Sequence, residues 1–179
     1  MKQSVPLQGV LVVYHDPITL GVSGDAAIFA EQGYGTLLAS GKLKLSLLEA
    51  AYLHDIGKIT ITTERNIPLS LEQVERKAVK HDKRFSTRLA AFSDLRKRGY
   101  IVKTGLKYGA EFVVYDRGTK PGQDHSKWVV YPVNEREHFG WHDFSAKNRV
   151  AHTTQKRLLI AIVDDEGGVI YYEARWMRP

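Results

Sequence analysis

The apolar positions of the first 84 residues are sparse and broken. QGVLVVY, residues 8 to 14, is a short apolar run that Pro17 ends, and it predicts one strand. No further element is legible until Ser46. There SLLEAAYLHDIG pairs a serine N-cap with Glu49 three residues on, sets Leu48, Ala51 and Tyr52 on one face and stops at Gly57, the pattern of a capped helix. KITITT then predicts a strand. Ser70 with Gln73 repeats the capping pair, and from it a long polar helical stretch is expected to reach Arg98, with Gly99 as its end. Phe85, Leu89, Phe92 and Leu95 recur along it at spacings of four, three and three. Because this stripe occupies only the second half of the stretch, the helix is expected to start in one unit and pack in the next. That sets a domain boundary near residue 84.

Residues 85–179 are richer in strands. YIVKTGLKYGAEFVVYDRG predicts two strands around a glycine-containing turn, KWVVYPV a third, and RLLIAIVDDEGGVIYYEARW a hairpin turning over Asp164 to Gly168. One helix is expected between the third strand and the hairpin, over residues 142 to 154, its amphipathic pattern weakened by Ser145 and Asn148. LLIAIV has no polar alternation, so that strand is expected to be buried on both faces. The pattern is therefore an α/β (α+β) chain: residues 1–84 form a small mixed α/β domain and residues 85–179 a central sheet flanked by helices. No internal repeat and no low-complexity tract interrupts it.

At 179 residues the chain is long enough for one good core or two small ones. Lys and Arg total 26 against 20 for Asp and Glu, a net charge of +6, which suits a polyanionic partner but does not by itself select nucleic acid. The absence of cysteine excludes disulfides and thiolate metal sites and argues against a small secreted scaffold. The start, MKQSVPLQGVLVVYHDP, is apolar for only a few residues, and no run approaches the roughly 20 needed to cross a bilayer. A cytoplasmic protein with no membrane partner is expected.

Chemistry concentrates in VVYDRGTKPGQDHSKWVV. An apolar strand ends on Tyr115, a polar loop follows, and the chain passes His125 just before the next strand. Lys156 lies just before RLLIAIV, so it too stands at a strand edge. Taken singly, a tyrosine at a strand end is more often core or interface, and a lone loop histidine more often solvated surface. Together, a phenol, an imidazole and an ammonium at strand ends of one sheet form a set that needs no metal. Such a set can take a proton, give a proton and hold a developing negative charge, which are the demands of transphosphorylation at an RNA 2'-hydroxyl.

LRKRGYIVKTGLKYGAEFVVYDRG, then DHS, then RVAHTTQKRLLIAIVDDEGGVIYY resemble the archaeal tRNA-splicing endonuclease family over nearly all of residues 85 to 179, and LSLLEAAYL resembles its amino-terminal domain. The resemblance implies a restriction-endonuclease-like C-terminal domain that cuts precursor tRNA at bulge-helix-bulge junctions, with no cofactor or metal, leaving a 2',3'-cyclic phosphate and a 5'-hydroxyl. By it, Tyr115 matches the general base on the 2'-hydroxyl, His125 the general acid for the leaving 5'-oxygen and Lys156 the cation facing the phosphorane-like state. Arg149 matches the arginine that stacks on a bulge base, and Trp176 its partner on the other face. Asp164, Asp165 and Glu166, three adjacent acids expected to gain nothing from their own chain, match a loop that inserts into a positive cleft of a neighbouring subunit. The implied assembly is a homotetramer built as a dimer of dimers, paired along VIYYEARW, or a heterotetramer with a separate structural subunit.

Three other readings compete. LHDIGK, residues 53 to 58, looks like the His-Asp motif of the HD phosphohydrolases, but the strand-like KITITT follows at once, and the only upstream histidine is His15. His138, His142, Asp143 and His152 have the residue types of a zinc site, interrupted by Gly140. A basic, non-catalytic RNA-binding subunit is the third, and it leaves Tyr115, His125 and Lys156 together without a purpose. The run ERKAVKHDKR mixes both signs and reads as a solvated helix face.

Overall fold

Alternating burial marks one short strand of the core: in β4, Leu43–Leu45, both leucines are buried while Lys44 between them is exposed. The computed structural model describes residues 7–10, 20–22, 26–119, 121–122 and 124–178. The chain divides into two units, residues 1–89 and 90–179.

In the first unit, β1 (Leu7–Val10) lies parallel to β5 (Ile59–Thr62) and antiparallel to β2 (Leu20–Val22). With β3 (Thr36–Leu37) and β4 they form a five-stranded sheet in the order β3-β4-β2-β1-β5. The helices are α1 (Ala26–Glu31), α2 (Leu47–Asp55) and α3 (Leu71–Val79). Leu43, Leu45, Leu53, Ile59, Ile61 and Val74 are fully buried in this unit. The expected strand over residues 8 to 14 is seen only as far as Val10, since residues 11–19 lie outside the described residues. Between residues 20 and 45 the structure adds β2, α1, β3 and β4, none of which the pattern of the sequence shows. They have two to six residues each, too few to display a period.

Both serine caps form. The Ser46 hydroxyl accepts the Glu49 N–H at 3.3 Å and the Glu49 carboxylate returns to the Ser46 N–H at 2.8 Å; Ser70 and Gln73 do the same at the start of α3. The Glu49 carboxylate is buried because it also accepts the Gly35 N–H at 2.8 Å. Gly35 has φ +57° and its Cα lies so close to the chain at Lys44 that a Cβ there would strike the carbonyl, so glycine is required. Replacing Ser46 by alanine is expected to lower the unfolding free energy by roughly 0.5–2 kcal/mol in urea titration, the usual cost of a lost N-cap.

The long helix expected from Ser70 to Arg98 is two helices. α3 ends at Val79, and α4 begins at Phe85 and runs to Lys97. Val74, Ala78, Phe85, Leu89 and Phe92 keep a helical spacing across the break, so the cause is local. Asp82 accepts the Arg84 N–H at 2.9 Å on its side chain and the Phe85 N–H at 3.0 Å on its carbonyl, and its carboxylate pairs with the Arg88 guanidinium at 2.6 Å. A short acidic side chain that captures nearby N–H groups competes with the helix ladder and restarts it.

The second unit is a five-stranded sheet in the order β10-β9-β8-β7-β6. Its strands are β6 (Ile101–Thr104), β7 (Phe112–Tyr115), β8 (Trp128–Asn134), β9 (Arg157–Val163) and β10 (Val169–Ala174). Every pairing is antiparallel except β8 with β9, which run parallel and are joined through α5 (Trp141–Thr153). On one face Val113, Val129, Tyr131, Val133, Leu158 and Ile160 form a core with Ala151 of α5. On the other, Phe92 of α4 meets Phe112 edge to face at 5.9 Å. Tyr171 of β10 donates its hydroxyl to Asp94 of α4 at 2.8 Å, and burial, with this bond, pushes that phenol far up from its ordinary range. No residue of β9 from Leu158 to Val163 is exposed, in line with its unbroken apolar run. Among the described residues no helix is long and apolar enough to cross a membrane.

Candidate active site

The sheet register decides which side chains can meet. β7 runs antiparallel to β8, and β8 runs parallel to β9, so the last residue of β7 and the residues just before β8 and β9 share one end of the sheet. Val114 pairs with Trp128 and Trp128 with Arg157. Tyr115 therefore follows one of these pairs and Lys156 precedes the other, on strands two apart. At about 4.8 Å per strand spacing, their backbones are separated by roughly 10 Å. Side-chain alternation puts them on one face: Val113 and Leu158, each two residues away, belong to the core beneath α5, against which Tyr115 also packs.

His125 reaches the same end along the loop. Its N–H donates to the Asp124 carboxylate at 2.8 Å, and it is exposed. The next residue, Ser126, is buried and its carbonyl accepts the Lys156 ammonium at 3.2 Å. The loop between β7 and β8 is pinned across its stems. Lys127 makes an ion pair with Asp116, and the Lys127 N–H donates to the Val114 carbonyl at 2.8 Å. That ammonium, with the Arg117 N–H, holds the Asp116 carboxyl below the usual carboxylate range. Gly118 and Gly122 take φ +82° and +88°, turning the path as their residue type allows.

Tyr108 is a member of this neighbourhood that no sequence pattern pointed to. It closes a 3-10 turn, Leu106–Tyr108, that folds back over the same sheet face, and its ring packs against the core with Tyr115. The Lys156 ammonium stands 5.1 Å from its ring centre and the Lys107 ammonium 4.9 Å. In the sequence it is only one tyrosine in a turn, and the contact depends on a lysine 48 positions later.

Arg149 and Trp176 line one cavity of about 350 Å³, together with Phe144, Ser145, Asn148 and His152. Trp176 is half exposed, the His152 ring lies 4.9 Å from it, and the Arg178 guanidinium stands over it at 5.5 Å. His152 follows Arg149 by three residues on α5, a spacing that shares a helix face, and this signal was available in the sequence. The lining combines aromatic faces with one guanidinium, that of Arg149, and no carboxylate, which suits a nucleobase and its phosphate.

The acidic turn does serve its own chain, contrary to expectation. The Asp164 carboxylate accepts the Glu166 N–H at 2.9 Å and the Gly168 N–H at 2.7 Å, capping the turn, and Asp165 pairs with Arg136. His54 closes the end of α2 through Nδ1 and the Ile59 carbonyl at 3.1 Å, and His15 lies outside the described residues. His138, His142 and His152 are exposed, and among the described residues no group of three His, Cys, Asp or Glu side chains is placed to hold a metal ion.

Comparison with known proteins defines the class. Residues 85–172 match the family described as tRNA intron endonuclease, catalytic C-terminal domain, and residues 14–75 match tRNA intron endonuclease, N-terminal domain. This chain belongs to the tRNA intron endonuclease family. Among its relatives, the tRNA-splicing endonuclease of Nanoarchaeum equitans is 40% identical over 152 residues, covering 82% of this chain and 97% of that one. That of Thermococcus onnurineus is 37% identical over 173 residues, covering 91% and 98%, and that of Methanothermobacter thermautotrophicus 41% over 138 residues, covering 77% and 79%.

Proposed function

We propose that this protein excises introns from precursor tRNA by cutting at bulge-helix-bulge junctions, leaving a 2',3'-cyclic phosphate and a 5'-hydroxyl. The observation that carries the reading is the convergence of Tyr115, the His125 segment and Lys156 on one end of one sheet, in a chain whose family is defined by its catalytic domain. Tyr115 takes the proton of the 2'-hydroxyl, whose oxygen then attacks the adjacent phosphorus. His125 gives a proton to the departing 5'-oxygen. Lys156 faces the non-bridging oxygens, where negative charge grows in the transition state. Roughly 10 Å between the backbones on either side leaves room for a phosphate between the side chains.

Arg149 and Trp176 hold an unstacked bulge base in the cavity beside α5. Single-stranded bases, not the narrow A-form major groove, are what a protein can grip in RNA. For assembly, we infer a dimer of dimers, or a tetramer shared with a structural subunit. β10 is an edge strand with Ile170 and Tyr172 largely exposed, which favours pairing with a second copy. The acidic turn then docks into a positive cleft of a neighbour.

The chemistry is tested directly by chelation. Cleavage of a model bulge-helix-bulge RNA is expected to persist in EDTA and to give a cyclic phosphate, because a phenol, an imidazole and an ammonium supply the base, acid and charge in turn. Complete loss on chelation, restored by magnesium, overturns this mechanism.

A further inference from the structure

We propose that Tyr108 is a positioning residue for Lys156, holding its ammonium at the reacting phosphate through the face of the ring. The inference rests on the reading of Lys156 as the cation that meets the transition state. Lysine is a compact charge on a flexible four-carbon stem, so it stabilises a transition state only where something fixes it in advance. Two contacts fix it here. The Ser126 carbonyl accepts one N–H at 3.2 Å, and the Tyr108 ring centre lies 5.1 Å from the nitrogen. The ring attracts the cation by its quadrupole, without the counter-charge that a carboxylate partner would bring. Two of the three N–H groups and the full positive charge therefore stay available to phosphate oxygens.

The platform itself is rigid. The Tyr108 N–H donates to the Gly105 carbonyl at 2.8 Å, the Ala110 N–H to the same carbonyl at 3.2 Å, and the Gly105 N–H to the Glu111 carbonyl at 3.0 Å. The turn presses on β7 so closely that a Cβ on Gly105 would come within 2.8 Å of the Phe112 backbone. The Tyr131 hydroxyl adds a bond to the Gly109 carbonyl at 3.1 Å. A second ammonium, that of Lys107, stands 4.9 Å from the centre of the same ring.

The test is a set of single-turnover rates with RNA affinity measured in parallel. Lys156→Ala is expected to slow cleavage by about 10²-fold or more. Tyr108→Leu is expected to slow it by about tenfold with RNA affinity changed little, and Tyr108→Phe, which keeps the ring face, to recover most of that loss. In the Lys156→Ala background, Tyr108→Leu is expected to add nothing further, because a residue acting only through Lys156 has no effect once the ammonium is gone. Graded fluorination of a phenylalanine placed at 108 keeps the shape of the ring while weakening its quadrupole, so the rate is expected to fall step by step. A flat fluorination series, or equal slowing by Tyr108→Leu with and without Lys156, overturns the proposal. A near-normal rate for Lys156→Ala overturns the underlying reading instead, so the two failures are told apart.

Discussion

Replacing His125 by alanine is expected to slow single-turnover cleavage by about 10²-fold or more while RNA affinity hardly moves. The imidazole is exposed in a loop whose stems are closed by the Asp116–Lys127 ion pair, so its removal disturbs no core and leaves the backbone path pinned. On the role proposed for His125, what disappears is the proton for the leaving oxygen. Arg149→Ala is expected to behave differently. It lines a cavity with Trp176, and on the role proposed above its loss is expected to weaken the grip on the base, so that binding and rate fall together. Equal and trivial effects of the two substitutions in a cleavage and binding assay would show the site to be misassigned.

Changing Asp165 and Glu166 together to lysine is expected to split the assembly into dimers and abolish cleavage. Asp164 is kept because its carboxylate caps the turn through two N–H groups, and its replacement would confuse a folding defect with an assembly defect. The fold should survive the double change, since the Asp165–Arg136 pair it breaks is an exposed one, of a kind that contributes about 0–1 kcal/mol. The new lysines would instead meet the positive cleft of the neighbour with like charge. Mass measurement in solution, circular dichroism and a cleavage assay decide the matter. A variant that stays tetrameric and active refutes the proposed docking.

Much of the second unit was legible because its strands are continuous apolar runs stopped by turns. Trp128–Asn134 and Arg157–Val163 could be read directly, as could α5, whose start lies within one residue of the expected position. The serine caps were legible because capping chemistry is local. β2, β3 and β4 were not, since strands of two or three residues are held by their sheet partners and not by a pattern of their own. The break between α3 and α4 was hidden for the opposite reason: the apolar spacing continues across it, while Asp82 takes the Arg84 and Phe85 N–H groups on its side chain and carbonyl. For the site, strand ends could be read but not their alignment. Nothing in the spacing of Tyr115 and Lys156 tells that β8 and β9 run parallel, which is what brings those ends together. The Tyr108 contact and the Asp165–Arg136 pair are products of tertiary structure and leave no local trace.

The single parallel pairing also sets an order of events during folding. Tyr115 and His125 are brought near each other by antiparallel neighbours in the chain, β7 and β8, which close through residues 116–127. Lys156 arrives only after the chain has crossed over through α5 to lay β9 beside β8, along seven residue pairs from Trp128 with Arg157 to Asn134 with Val163. Pairing across so long an excursion is slow compared with local hairpins, because the loop entropy must be spent before any contact forms. A refolding chain thus sets the β7–β8 end that carries Tyr115 and His125 before it sets Lys156. On the role proposed for Lys156, recovery of cleavage is expected to lag behind recovery of the hairpin signal, the nuclease becoming competent only as its crossover closes.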